Sequence, residues 1–281
     1  MRVVSCGLSD VGKKRSHNED SYGCSDELGL YLVADGMGGH AAGEVASSTA
    51  MSVIFDFVSR ALKKGDLTSP LEAGADLEHH HRMLVMAVHL ANEAIRGMSG
   101  NRDTYSGMGT TITGALVWQD VAYIVHVGDS RAYLLRDGSL RALTDDHSWV
   151  QEQLKRKTIT PEEAKSHRWR NVITRALGNQ SELEVDAAKL PLQAGDRLLL
   201  CTDGLTSMVD ESAVEKELLA ADGGLADRCR NLVEMSNEAG GSDNITVVLL
   251  QVLPAEDDSP GAPQDAASPK ERTSEPWNRA D

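Results

Sequence analysis

Apolar and polar positions along this chain follow two periods, and the switches between them mark out its elements. Residues 43–63 carry Ala46, Ala50, Val53, Ile54, Phe57, Val58 and Ala61 at helical spacing, and 81–98 carry Leu84, Ala87, Ala91, Ala94, Ile95 and Met98 on one helical face. GDLTSPLEAGAD between them reads as a linker. Strand patterns follow: an apolar run, LYLVA, stops at Asp35, and GTTITGALVW (109–118), VAYIVHV (121–127) and RAYLLRDGSLRAL (131–143) are closely linked. Asp137-Gly138, set between apolar runs, signals a two-residue hairpin. Such short connections require antiparallel pairing. SWVQEQLKRK and TPEEAKS read as helices, the second with Thr160 as N-cap, Pro161 at the first helical position and Glu163 completing a capping box. RLLLC (197–201) is a strand running into Thr202-Asp203-Gly204; helices are expected near 210–221 and 225–238, and ITVVLLQVL (245–253) is a strong strand. The sum is an α+β domain, an antiparallel β core covered by helix pairs.

From Pro254 the periodicity stops and Pro, Ser, Ala and acids dominate. Residues 1–253 therefore read as one domain and 254–281 as a disordered tail, in which Trp277 is either solvated or a docking anchor.

Composition narrows the partners. Among 281 residues the net charge is −15, which argues against a general nucleic-acid binder, whose affinity comes from Lys and Arg on phosphates. Any phosphate chemistry here needs its positive charge from a few residues or from metal ions. The four cysteines are scattered, with no CxxC pair, and read as free thiols of a reducing compartment. MRVVSCGLSD lacks the apolar core of a signal peptide, and no apolar run is read as membrane-spanning, so a cytoplasmic protein without a membrane partner is expected. Three consecutive histidines, 79–81, point in three directions from a helix and read as a solvated surface, not a metal cluster.

The candidate chemistry lies at strand ends. Asp35 ends LYLVAD, Asp129 ends VAYIVHVGD, Asp203 ends RLLLCTD, and Asp243 begins SDNITVVLL. In an antiparallel sheet the exit of one strand lies beside the start of its neighbour, so these acids can share one rim. Gathered there without a counter-ion they repel, and some must protonate. A hard divalent cation removes the conflict, and oxygen-only ligands suit Mg²⁺ or Mn²⁺ rather than zinc. The glycines after Asp35 (Gly36, Gly38, Gly39) then let a backbone carbonyl approach the ion. Each Asp-Gly alone is commonly just a turn; the combination is what carries the reading. GMGGHA (36–41) also has a dinucleotide-fingerprint spacing, but Asp56, where the ribose acid belongs, lies inside a helical pattern, and Asp35 would repel a pyrophosphate. RSHNEDS (15–21) allows two readings: a charged surface loop, or Arg15 gripping a phosphate while Glu19 and Asp20 order metal waters.

Five motifs in order, Arg15-x-x-Asn18-Glu19-Asp20-Ser21, Val33-Ala34-Asp35-Gly36-Met37-Gly38-Gly39-His40, Gly109-Thr110-Thr111, Gly128-Asp129-Ser130-Arg131 and Thr202-Asp203-Gly204-Leu205 with Ser242-Asp243-Asn244, resemble the metal-dependent protein phosphatases of the PPM or type-2C family in its bacterial form. The resemblance spans about 3–253. It implies a four-layer α-β-β-α sandwich, two antiparallel sheets flanked by helix pairs. It implies hydrolysis of phosphoserine and phosphothreonine in proteins with two Mn²⁺ or Mg²⁺ ions and a third, weaker one, opposing a cognate Ser/Thr kinase in signalling. Carried over by motif, Asp35 bridges two metals, the Gly36 carbonyl completes one, Asp203 and Asp243 hold the other, and Asp129 serves the third. Arg15 binds the phosphate, and Glu19 and Asp20 act through metal waters. Residues 148–170 correspond to a variable flap where substrate choice is expected. Met37 stands where eukaryotic members carry a proposed acid His, and Ser207 where some supply a further acid to the third metal. A monomer is expected by analogy. The contrasting reading, an inactive phosphoprotein-binding relative, would be expected to lack the metal acids.

Overall fold

The computed structural model describes residues 1–38, 41–64, 77–99, 105 and 107–255. The linker within 65–76, Gly39, His40 and the tail with Trp277 lie outside the described residues.

Two five-stranded antiparallel sheets stack face to face. One runs β1 (Arg2–Asp10), β12 (Ile245–Leu253), β11 (Arg197–Cys201), β8 (Arg131–Arg136), β9 (Ser139–Ala142); the other runs β10 (Asp186–Pro191), β7 (Val121–Val127), β6 (Ile112–Trp118), β3 (Leu30–Ala34), β2 (Ser21–Ser25). The central strands are apolar on both faces because both are covered. In β12, Val248, Leu250 and Val252 enter the core between the sheets, whereas Val247 and Leu249 face α6 (Glu211–Leu219) and α7 (Leu225–Glu238). In β3, Tyr31 and Val33 face inward between the sheets and Leu30, Leu32 and Ala34 face α1 (Ala41–Lys64) and α2 (Leu77–Ser99). The four layers are α-β-β-α, as expected. Small residues at helical spacing on α1 (Ala42, Ala46, Ala50, with Ile54 and Val58) are buried against α2 and the sheet.

Asp137 and Gly138 both adopt positive φ between Arg136 and Ser139, the two-residue hairpin read from the sequence. Thr160 caps α4 (Pro161–Ser166) with the expected reciprocal Glu163 bonds, and α3 (Trp149–Lys155) precedes it. Asp56 lies on α1, paired with Arg60, which removes the dinucleotide alternative.

Several expectations need correction. The second long helix begins at Leu77, one turn before the apolar stripe. The strand expected over 109–118 breaks at Thr111 into β5 (Gly109–Thr110), paired with β4 (Gly36–Met37), and β6. His79–His81 are half-buried, and His80 stacks on Trp118 with ring centroids 4.5 Å apart, so this is not a solvated run. By length and composition Ala42–Lys63 is apolar enough to cross a membrane, contrary to the sequence reading; here its apolar face packs against the protein core.

Candidate metal centre

The four strand-end acids meet at one rim, each held by a different element. Asp35 follows β3, and the two threonines at the β5–β6 break clamp its backbone. Asp35 N–H donates to Thr111 Oγ1 (2.9 Å), while Thr111 N–H (2.9 Å) and Thr110 Oγ1 (2.8 Å) both donate to the Asp35 carbonyl. The break at Thr111 thus frees the groups that fix Asp35. Gly36 is buried where a Cβ would strike the carbonyls of Gly43 and Glu19, and its N–H donates to Glu19 O at 3.1 Å. Its missing side chain admits backbone from two neighbouring loops.

Asp129 sits in the turn from β7 to β8. Ser130 Oγ shares a 2.8 Å hydrogen bond with Thr111 Oγ1, so the Asp129 turn and Asp35 lean on one threonine. Asp203 opens the short α5 (Asp203–Thr206) at the end of β11. Gly204 lies against the Asn244 carbonyl, with no room for a Cβ, which brings the Asp203 and Asp243 segments together. Asn244 Nδ2 donates to the carbonyls of Val11 (3.0 Å) and His17 (2.9 Å), and its Oδ1 accepts from Glu19 N–H (2.8 Å). One asparagine therefore fastens the whole 11–19 loop to the Asp243 turn.

Asp20 is buried, and its Oδ2 accepts from Thr202 Oγ1 (2.9 Å) and Thr246 Oγ1 (2.7 Å). Arg15 reaches across the mouth to Asp243, Nη2 to Oδ2 at 2.7 Å. The pair raises the Arg15 pKa, with smaller contributions from Glu19 and Asp35.

The electrostatics follow from this crowding. Burial, then the charges of Asp20, Asp203, Asp129 and Asp243, holds the Asp35 carboxyl well above the usual carboxylate range. Burial raises Asp20 to about 7, against the two threonine bonds, and burial with Asp203 and Asp146 raises Asp129 to about 8. Asp203 is raised to about 6 by burial and Asp243, against the lowering effect of its neighbour Asp35. The Oδ1 atoms of Asp20, Asp129 and Asp203 are buried and accept no hydrogen bond.

Among the described residues no three His, Cys, Asp or Glu side chains close around one point as they stand, and Asp243 is turned onto Arg15. The donors are collected but not closed. An oxygen-only set with orphaned buried carboxylate oxygens and mutually raised pKa values is nevertheless what hard divalent cations neutralise, so the residues fit such ions. Sequence reasoning named the acids and missed their supports, Thr110, Thr111, Thr202, Thr246 and Asn244. Four of these, Thr110, Thr111, Thr202 and Asn244, lay inside quoted motifs with no role attached; Thr246 lay in the last strand run.

The sequence matches the protein phosphatase 2C family over residues 11–249. It is 40% identical over 246 residues to the serine/threonine phosphatase stp of Listeria monocytogenes, covering 86% of this chain and 93% of the relative. It is 36% identical over 248 residues to the protein phosphatase PhpP of Streptococcus pneumoniae, covering 87% and 96%. The crystal structure of the catalytic domain of the serine/threonine protein phosphatase PstP in complex with two manganese ions superposes with a TM-score of 0.76 at 36% identity, covering 90% of this chain and 99% of that one. With the family matched over residues 11–249 and the fold shared over 90% of its length, the chain belongs to the protein phosphatase 2C family.

Proposed function

We propose that this protein is a metal-dependent phosphatase that removes phosphate from phosphoserine and phosphothreonine in other proteins. The carrying observation is the gathering of Asp20, Asp35, Asp129 and Asp203, with Asp243 at the mouth, at one rim, where buried Oδ1 atoms of Asp20, Asp129 and Asp203 lack partners. An inactive phosphoprotein-binding relative has no use for so costly a cluster.

Asp35, the Gly36 carbonyl, Asp203 and Asp243 would hold two Mn²⁺ or Mg²⁺ ions, and Asp129 a third, weaker one. Bound divalent cations supply Lewis acidity that makes water nucleophilic at neutral pH and offsets charge on the phosphoryl oxygens. The protein's own part is to position and to neutralise. Arg15 leaves Asp243 to present its planar fork to the phosphate, and Asp243 is freed for the metal site. Asp20, locked by Thr202 and Thr246, and Glu19, fixed through its amide to Asn244, act one layer out through water. Met37, beside Gly36, has no proton to give a leaving group. Cys201 is buried in β11 and its thiol pKa is pushed up to about 12, which excludes it as a nucleophile.

We further read residues 1–253 as the catalytic domain with its flap at 148–170, and 254–281 as a tail. The protein acts as a cytoplasmic monomer opposing a Ser/Thr kinase; the four unpaired cysteines support a reducing compartment. The test is hydrolysis of para-nitrophenyl phosphate and a phosphothreonine peptide. Turnover should require Mn²⁺, stop with chelator and be absent in Asp203→Asn; metal-independent turnover overturns the reading.

A further inference from the structure

Immediately before the flap, His147 is only 5% exposed and touches the backbone of the turn that carries Asp129. Its N–H donates to the Gly128 carbonyl at 2.6 Å, and Gly128 N–H donates back to His147 Nδ1 at 3.1 Å. Both backbone groups of Gly128 are thus taken by one residue. Gly128 has φ +117°, a conformation that favours glycine, and a Cβ there would run into Thr111. The residue before Asp129 is wedged between Thr111 and His147.

The imidazole is itself oriented. A backbone amide can only donate, so Nδ1 presents its lone pair and the ring proton sits on Nε2. Nε2 lies 3.2 Å from Asp186 Oδ2 on β10; Arg175 Nη1 donates to Asp186 Oδ1 at 3.0 Å and also lies 3.3 Å from Nε2, but a guanidinium only donates, so the ring proton on Nε2 goes to Asp186. His126, pairing with Asp186 across β7–β10, places its ring 4.7 Å from that of His147. The series Arg175, Asp186, His147, Gly128 has the form of a support that holds a ligand through its outer partners.

We propose that His147 is a positioning residue for Asp129, its imidazole and amide together setting where the Asp129 carboxylate stands in the metal site. The proposal rests on Asp129 serving that site. A plain structural role, filling space at the root of the flap, predicts that only size matters. A positioning role predicts that one ring nitrogen matters.

Asparagine and glutamine separate these. The Asn side-chain oxygen stands where Nδ1 stands and can accept from Gly128; the Gln terminus stands where Nε2 stands and cannot. In the full chain, His147→Gln should lower kcat/KM for para-nitrophenyl phosphate and raise the Mn²⁺ half-saturation, each by about 10–100-fold, the range seen when an outer-shell partner is lost. His147→Asn should restore most of both. Equal behaviour of the two variants, or activity that simply follows their melting temperatures, overturns the proposal. Should either variant fail to fold, long-range ¹H–¹⁵N NMR of the wild-type imidazole decides: an unprotonated Nδ1 supports the clamp, and a proton on Nδ1 overturns it. Asp129→Asn is measured in parallel. If it keeps wild-type activity, the reading of Asp129 falls; if it is impaired while His147→Gln is not, only the clamp falls.

Discussion

Arg15 and Asp243 form an ion pair of 2.7 Å across the mouth of the acid cluster, joining residues 228 positions apart. The guanidinium occupies a carboxylate proposed for the metal site and is itself the group proposed to meet the phosphate. Arg15→Ala should therefore separate the two tasks. Losing a charge-assisted contact to phosphate costs about 1.5–3 kcal/mol, or roughly 10–100-fold in KM. The Mn²⁺ half-saturation should not worsen, because Asp243 loses a competitor. Steady-state kinetics on a phosphopeptide across a Mn²⁺ series measures both, and an unchanged KM removes Arg15 from phosphate binding.

Asp203→Asn should trade activity for stability. It deletes one of several mutually repelling buried carboxylates while keeping the shape, so the metal-free variant should melt no lower than the wild type. Turnover should fall by at least about 100-fold, beyond what loss of an outer partner costs. Melting in chelator alongside the phosphatase assay checks the pair of outcomes; residual activity near the wild-type level contradicts the assignment.

Thr246→Val tests the support of Asp20. Valine keeps the volume and removes the hydroxyl that donates to Asp20 Oδ2. Leaving a buried carboxylate oxygen short of a donor costs about 1–3 kcal/mol, read as a lower denaturation midpoint at unchanged slope. Gly204→Ala should be comparably destabilising, about 1–3 kcal/mol for overpacking, and should also lower activity, since its new methyl meets the Asn244 carbonyl and pushes the Asp203 and Asp243 turns apart.

The metal-free protein should lose stability as pH rises through neutrality. Asp20 and Asp129, raised to about 7 and about 8, hold protons in the folded state that the unfolded chain has already released. Their contribution is complete below the ordinary carboxylate pKa and is lost as pH climbs through the folded values. His126 has the opposite sign: lowered to about 4 by burial, it destabilises the fold only at pH below its ordinary value near 6.5. Between pH 6.5 and 8 the carboxylates act alone, so melting in chelator should fall across that window, and Mn²⁺ should cancel the fall. A flat or rising profile contradicts the raised values.

In the two large sheets three strands were not read from the sequence, β1, β2 and β10, and all three are sheet edges. Central strands such as β3, β11 and β12 are covered on two faces, so they print continuous apolar runs. Edge strand β10, DAAKLP, buries only Leu190 and shows no period. β9, the remaining edge, was found because Asp137-Gly138 announces its turn. The acids were legible for a related reason: each stands at the end of an apolar run that the core demands, and a charge there needs a cause. Their supports were not. A threonine at a strand end looks the same whether it favours extended backbone or, like Thr111, holds an aspartate. His147 sits 18 residues from Asp129, and nothing in that spacing tells that it returns to Gly128.

The pairing of β1 with β12, from Arg2 opposite Leu253 to Asp10 opposite Ile245, has a consequence for synthesis. Among the described residues β12 is the one strand that β1 hydrogen-bonds, and Asp243 lies two residues before β12 begins. A nascent chain on the ribosome therefore carries nearly every acid and cannot assemble them until residues 245–253 clear the exit tunnel, so hydrolytic competence comes all at once, with translation of the domain finished.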